Sequence, residues 1–201
     1  MTIIFQDGQV GSTMETAGDL SAWTGTGTYG GAAAPSVETG SPHHGVYNAK
    51  FVSADADDSS WIYKTITATA ICSIRGYYQW SANPSVNLTE IRLIAISGTD
   101  YVAYAGLQKS GGNVQWYMSY LKNGATVTLT ANVTPSINTY YALELYVKVH
   151  ATAGSVAFYV NGVSTLSDSN FDNDNYGNVV EVKTGQEWEN NSYVVHLNLI
   201  V

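Results

Sequence analysis

The stretch Tyr141-Ala-Leu-Glu-Leu-Tyr-Val-Lys-Val-His150 decides how the rest of the chain is read. Leu143, Leu145, Val147 and Val149 alternate with Glu144, Tyr146, Lys148 and His150. Side chains of an extended strand point to opposite faces in turn, so this pattern gives one face to a core and the other to a polar, aromatic surface. The same period of two recurs at 46–52, 60–67, 69–80, 88–97, 101–108, 113–121, 125–130, 155–161, 178–184 and 192–201, between clusters of Gly, Asn, Asp, Pro and Ser. Asn123-Gly124 and Asn161-Gly162 tolerate the positive φ angles of tight hairpins. No stretch of twelve residues keeps helical apolar spacing free of β-branched residues or glycine. Short strands joined by tight turns predict an all-β, mostly antiparallel β-sandwich.

Outside the strands, residues 8–45 are rich in Gly, Thr, Ala and Ser and short of aliphatics, and read as a long loop lying over the sandwich. A chain of 201 residues is long enough to bury roughly 70% of its unfolded surface, so residues 1–201 are expected to form a single domain. Only 12% of residues are charged, against an average of about 25%. Eight Lys plus Arg against sixteen Asp plus Glu leave a net charge of −8, which makes nucleic acid and anionic membranes poor partners. The single cysteine, Cys72, excludes an intrachain disulfide, and one Cys with four His leaves no zinc-finger spacing. The opening Met1-Thr-Ile-Ile-Phe-Gln-Asp7 lacks a basic segment followed by a long apolar one, and no apolar run reaches the roughly 18 residues of a membrane span. Low charge without paired cysteines fits a soluble protein exposed outside cells, either a secreted module or one on a virion surface.

Three segments resemble the concanavalin A-like lectin/glucanase jelly roll, the superfamily that includes laminin-G-like domains and many carbohydrate-binding modules. Tyr140 to Val163, ending in Phe158-Tyr-Val-Asn-Gly-Val163, is similar to the laminin-G-like hairpin. Gly18-Asp-Leu-Ser-Ala-Trp-Thr24 with Gly45-Val-Tyr-Asn-Ala-Lys-Phe51 resembles the first strands of extracellular carbohydrate-binding jelly rolls, and Asp174-Asn-Tyr-Gly-Asn-Val179 a turn into a late strand. The resemblance implies a jelly-roll fold and a carbohydrate ligand. Many relatives carry an acidic, calcium-holding cluster after the first strand, where this chain has Asp7-Gly8 followed by an insertion.

Enzymatic signatures of that fold are missing from single strands. Glu90, Glu144 and Glu181 are lone carboxylates, not the alternating row that would aim two of them into a glycosidase cleft, and Glu187 and Glu189 read as solvated loop charge. A polysaccharide lyase needs a Tyr or His base and a cation facing a uronate carboxylate. Arg75, Tyr77 and Gln79 on one face of 69–80, with Lys148 and His150, supply the materials, yet the strand motifs of jelly-roll alginate lyases are absent. The binding reading needs no chemistry. If Cys72, Ile74 and Tyr78 point inward, Arg75, Tyr77 and Gln79 stand on an outer, concave face in phase with Glu90, Arg92, Gln115, Tyr117, Glu144 and Tyr146. Planar amphipathic rings beside fixed amides and carboxylates suit the hydroxyls and apolar faces of sugars. The competing reading is that these side chains simply cover a half-exposed sheet.

Trp23 and Trp116 read as core, while Trp61, Trp80 and Trp188 near strand ends are open to either use. For metal, Asp172-Asn-Asp174-Asn-Tyr-Gly177 resembles the start of an EF-hand loop, but position twelve is Lys183. Asp172 and Asp174, with Asp7 at the N-terminal edge, are the candidate ligands for a structural calcium; an Asx-rich turn is the alternative. His43 and His44 are given no role. The sequence thus predicts a non-catalytic, lectin-like module whose partner is a polysaccharide or glycan. The alternative is a decoration protein whose jelly roll docks on a capsid or surface-layer protein, typically as an oligomer, and the third reading is a polysaccharide lyase or glycoside hydrolase.

Overall fold

The computed structural model describes residues 18–39, 43, 45–53, 58–83, 89–189 and 193–200, which contain fourteen strands and no helix. In chain order these are β1 (Gly25–Tyr29), β2 (Ser36–Glu38), β3 (Asn48–Ser53), β4 (Asp58–Thr69), β5 (Ile71–Trp80), β6 (Thr89–Ser97), β7 (Asp100–Ser110), β8 (Asn113–Lys122), β9 (Ala125–Asn132), β10 (Tyr141–Lys148), β11 (Gly154–Val160), β12 (Val163–Phe171), β13 (Val179–Glu189) and β14 (Tyr193–Ile200). They form two seven-stranded sheets. Sheet I has the order β1-β4-β13-β6-β7-β8-β9 and sheet II the order β12-β11-β10-β5-β14-β3-β2. Neighbouring strands are antiparallel. This is the all-β, antiparallel sandwich that the period of two predicts, with the jelly-roll fold that the resemblance implies.

The alternating aliphatics meet between the sheets. Leu143, Leu145 and Val147 of β10 are fully buried beside Cys72, Ile74 and Tyr78 of β5, and they face Ile91, Leu93 and Ala95 of β6 with Trp116 and Met118 of β8. Trp23 also belongs to this core, as its sequence context indicates. Trp80, left open by the sequence, is fully buried: it stacks on Tyr141 at 5.0 Å between ring centroids and donates its indole N–H to Asn83 Oδ1. Burial pushes the Cys72 thiol up to about 12, so it behaves as a small apolar group. One polar tie crosses the centre. Thr184 of β13 donates its hydroxyl to the Arg92 carbonyl, which leaves its oxygen to accept from Tyr78 Oη at 2.8 Å.

Two differences from the sequence reading concern quiet strands. Residues 8–45, read as loop, contain β1 and β2; β1 is Gly-Thr-Gly-Thr-Tyr, with no aliphatic residue to reveal its pairing with β4. The strand β12 was also unread, because along its Ser-rich length only Leu166 and Phe171 reach the core. It lies at the edge of sheet II, where the ladder to β11 is irregular next to Phe158. By contrast the Asn123-Gly124 and Asn161-Gly162 hairpins have positive φ at both residues, as expected.

At that edge the sheets are strapped together. Asp168 of β12 accepts hydrogen bonds from Tyr120 Oη at 2.5 Å and Lys122 Nζ at 2.7 Å, both on β8 of sheet I. Burial raises the Asp168 carboxyl, but the bonds from Lys122, Tyr120 and the Ser169 amide outweigh it and hold the group below its ordinary 3.8. Burial and the same carboxylate push the Tyr120 phenol above its usual range. A depressed folded value means that the stabilisation is present above the unfolded pKa and is lost as pH falls through the folded one. Asp168→Ala, which leaves the buried Tyr120 hydroxyl without its acceptor, is expected to cost about 1–3 kcal/mol at pH 7 in urea unfolding. The deficit should shrink as pH falls below 3.8 and through the depressed folded value of the parent carboxylate.

Candidate functional site

The residues picked from sequence divide between the two outer faces of the sandwich. Arg75, Tyr77 and Gln79 on β5 and Glu144 and Tyr146 on β10 point outward from sheet II, whereas Arg92 on β6 and Gln115 and Tyr117 on β8 point outward from sheet I. Glu90 holds a β6 position, and its side chain lies outside the described residues, as do those of Glu187, Trp188 and Glu189 and the whole of Asp7 and His44. The single concave face expected from sequence is therefore corrected to two faces on opposite sides. Period two fixes in or out along each strand; it carries nothing about which sheet the strand joins.

On sheet II the expected aromatic site is partly covered. His43, given no role from sequence, stacks on Tyr77 with centroids 3.9 Å apart and meets Tyr140 edge-on at 4.9 Å. Burial, with Glu38 nearby, pushes the Tyr140 phenol up to about 12, against a backbone hydrogen bond at His43 that works the other way. Gln79 Nε2 donates to the Asn138 carbonyl, and Glu144 accepts from Ser73 Oγ at 2.6 Å opposite an exposed Arg75. His150, the other base considered for this face, sits in a turn where its Nδ1 accepts the amides of Thr152 and Ala153.

The outer face of sheet I is more crowded and more regular. One row crosses all seven strands in register: Gly27 of β1, Trp61 of β4, Gly185 of β13, Arg92 of β6, Gly106 of β7, Tyr117 of β8 and Thr130 of β9. Large side chains alternate with glycines, and each ring or guanidinium lies over the strand beside it. A Cβ on Gly27 would fall 2.4 Å from the Trp61 ring, and one on Gly106 would fall 1.6 Å from the Ile91 carbonyl oxygen. Strand glycines mark such close approaches. Across Gly106, Arg92 Nε donates to Tyr117 Oη at 2.9 Å. The same guanidinium lies 4.7 Å from the Tyr104 ring centroid, and Tyr104 meets Tyr117 and Tyr101 edge-on.

The next row adds a second cation. Lys183 of β13, opposite Tyr63 and Ile94, holds its ammonium 4.0 Å from the Trp61 ring centroid. Both cations thus sit against aromatic faces, an arrangement that helps to fix long side chains. Burial raises the neighbouring Glu181 carboxyl, and Lys183 partly offsets this. Tyr117 is only 2% exposed and Gln115 9%, although both point away from the core, while Arg92, Tyr104, Trp61 and Lys183 remain half-buried. At one end of this face Tyr101, Tyr104 and Tyr176 line a cleft of roughly 220 Å³ with Asp100 and Thr126. The surface offers aromatic platforms, two cations and amides, which is what an acidic sugar chain requires.

The candidate calcium residues form a turn. Asp172 Oδ1 accepts the amide of Asp174 at 3.1 Å, and the Asp172 amide bonds Asn123 Oδ1. Hydrogen bonding with Asp172 is the main cause of a raised Asp174 carboxyl, with His150 acting in the opposite sense. These are the bonds of an Asx turn. Among the described residues no three of His, Cys, Asp and Glu converge as metal ligands.

No protein-family model matches the chain, and no curated protein matches it significantly. Solved structures do match. An endo-β-1,4-glucuronan lyase from the fungus Trichoderma reesei superposes with a TM-score of 0.69 at 13% identity, over 99% of this chain and 94% of the lyase. A carbohydrate esterase from the Shiga toxin-encoding bacteriophage phi24B gives 0.66 at 12% identity, over 99% and 96% of the two chains. An alginate lyase solved with dimannuronate gives 0.53 at 9% identity, over 77% and 73%. At these identities the likeness is one of fold. It nevertheless corrects the expectation of a non-catalytic protein, since the fold neighbours that span nearly the whole chain include a polysaccharide lyase and a carbohydrate esterase. The sequence reading placed Arg92 and Tyr117 among ligand-binding residues; the structure pairs them across two strands.

Proposed function

We propose that the outer face of sheet I binds an acidic polysaccharide and cleaves it by β-elimination. The observation that carries this reading is the Arg92–Tyr117 contact of 2.9 Å above Gly106, a cation and a phenol held together on an aromatic surface. The fold shared with a glucuronan lyase and an alginate lyase supports it.

In the proposed reaction the Arg92 guanidinium takes the carboxylate of a uronate residue, for which its forked donors are suited. Neutralising that carboxylate makes the adjacent C5–H acidic and stabilises the charge that develops on the carboxyl as the proton leaves. Tyr117 acts as the phenolate: with its own proton given up to solvent beforehand, its Oη accepts the C5 proton. The electron pair left on C5 becomes the C4–C5 double bond as the C4–O4 bond breaks, and the proton passes to the departing glycosidic oxygen. Water is not consumed and nothing is oxidised or reduced. Because Tyr117 is buried behind Arg92, the incoming carboxylate uncovers the base by drawing the guanidinium toward itself. Tyr104, Tyr101 and Trp61 give flat surfaces for neighbouring sugars, and Lys183 a second positive charge. A polymeric uronate places the protein's work outside the cell.

Incubation with glucuronan, alginate and a neutral β-glucan tests the reading. Ultraviolet absorbance of unsaturated uronate ends should grow with an acidic polymer and stay flat with the neutral one. Absence of cleavage on every acidic polymer would return the protein–protein interface of a decoration protein as the better account.

A further inference from the structure

On the far side of the sandwich the outer face of sheet II steps down in height toward its edge. Tyr146 on β10 stands opposite Ala157 on β11, and Tyr159 lies two residues further along β11. Beyond them the outward positions of the edge strand are Ser167, opposite Ala157, and Ser169, opposite Ser155. Tall rings beside short hydroxyl-bearing residues leave an open groove of roughly 400 Å³, with Ala157 in its floor and Asp168 on its rim. Both tyrosines are half-buried, which holds their rings in place while leaving part of each exposed. The Asp168 carboxylate turns the other way, to Tyr120 and Lys122 of sheet I. Among the described residues that line this groove none is a lysine or arginine, with Lys148 beside it opposite Ser155, whereas the face of sheet I carries Arg92 and Lys183.

We infer that this groove is a second saccharide-binding site, which holds the hydroxyl-bearing faces of sugar residues in the same polymer chain and takes no part in cleavage. The inference rests on the reading that the protein acts on a polysaccharide. Two amphipathic rings and a row of serine hydroxyls supply stacking and hydrogen bonds. Recognition here depends on hydroxyls, so it should resist salt; binding through Arg92 and Lys183 on sheet I should weaken as salt screens the charges. Sites on opposite faces of one sandwich would tether the enzyme to the polymer while its other side cuts.

The test compares retention and cleavage. Tyr146→Ala/Tyr159→Ala and, separately, Ser167→Tyr, which fills the groove from an exposed position, are run in native gels containing glucuronan at low and high salt. Retention that survives high salt in the parent should be lost in both variants, with at least a fivefold weaker apparent affinity. Their kcat/KM on short glucuronan oligosaccharides should equal that of the parent. Tyr117→Phe should show the reverse, with cleavage lost and salt-resistant retention kept. Retention unchanged in Ser167→Tyr, or retention in the parent that vanishes with salt, would overturn the second site while leaving the cleavage proposal standing. A parent that is retained but cleaves no polymer would overturn the cleavage proposal alone.

Discussion

Tyr117→Phe is expected to lower the rate of polyuronate cleavage by about 10²–10⁴-fold, the usual contribution of a positioned acid–base group. Its melting temperature should stay near that of the parent. The change removes one hydroxyl and one hydrogen bond, worth about 0.5–1.5 kcal/mol net, and leaves the ring over Gly106. Arg92→Ala should cost about 10²–10³-fold by removing the charge opposite the developing carboxylate anion. Arg92→Lys should recover only part of the loss, since an ammonium reproduces the charge but not the forked donors that match a carboxylate. Initial rates on glucuronan, read as unsaturated ends, separate these cases. A Tyr117→Phe protein that keeps the parent rate while Arg92→Ala loses it would leave the carboxylate site in place and move the base elsewhere on the face, with Tyr104 next in line.

The largest loss of stability is expected from Gly106→Ala. Gly106 lies in β7 between Arg92 of β6 and Tyr117 of β8, and a methyl group there would overlap the Ile91 carbonyl oxygen at 1.6 Å. The obstacle is backbone, so no side-chain rotation relieves it. Either β6 and β7 separate locally, forfeiting ladder hydrogen bonds near the centre of sheet I, or the strand twists and displaces the tyrosine beyond it. Overpacking of a tight interior costs about 1–3 kcal/mol and occasionally more, and this position belongs at or above the upper end. Urea unfolding should register that loss, and the fraction that still folds should cleave poorly because the Arg92–Tyr117 distance is set across this glycine. Gly124→Ala, at a hairpin tip with positive φ and only the Asn175 amide near its Cβ position, is the control: it should lose stability without losing specific activity.

How far the sequence carries is clearest at particular residues. Leu143, Leu145 and Val147 named both their strand and its inward face, and the assignments of Cys72, Ile74 and Tyr78 to the core and Arg75 and Tyr77 to the surface hold in the structure. That information is local, because alternation along one strand reports one sheet surface at a time. The grouping of Arg75 with Arg92 failed because it is long-range: β5 pairs with β10 and β14, while β6 pairs with β7 and β13. Neither choice leaves a trace in the spacing of apolar residues. Trp80 illustrates another limit, since its burial depends on Tyr141 and Trp116 arriving from β10 and β8. One signal was present and unused. Gly106 and Gly185 interrupt strands that are otherwise strong, and interior strand glycines point to a backbone or ring passing close by. Following them would have led to Tyr117, Arg92 and Trp61 as one row.

The central claim is the chemistry at Arg92 and Tyr117, and the products decide it most directly. Exhaustive digestion of glucuronan in heavy-oxygen water, followed by mass spectrometry of the oligosaccharides, distinguishes elimination from hydrolysis. Elimination predicts fragments whose new non-reducing end is an unsaturated uronate, whose masses sum to that of the intact chain, and which carry no heavy oxygen from the solvent. Fragments with saturated ends, heavier in total by one labelled water for each bond broken, would contradict it.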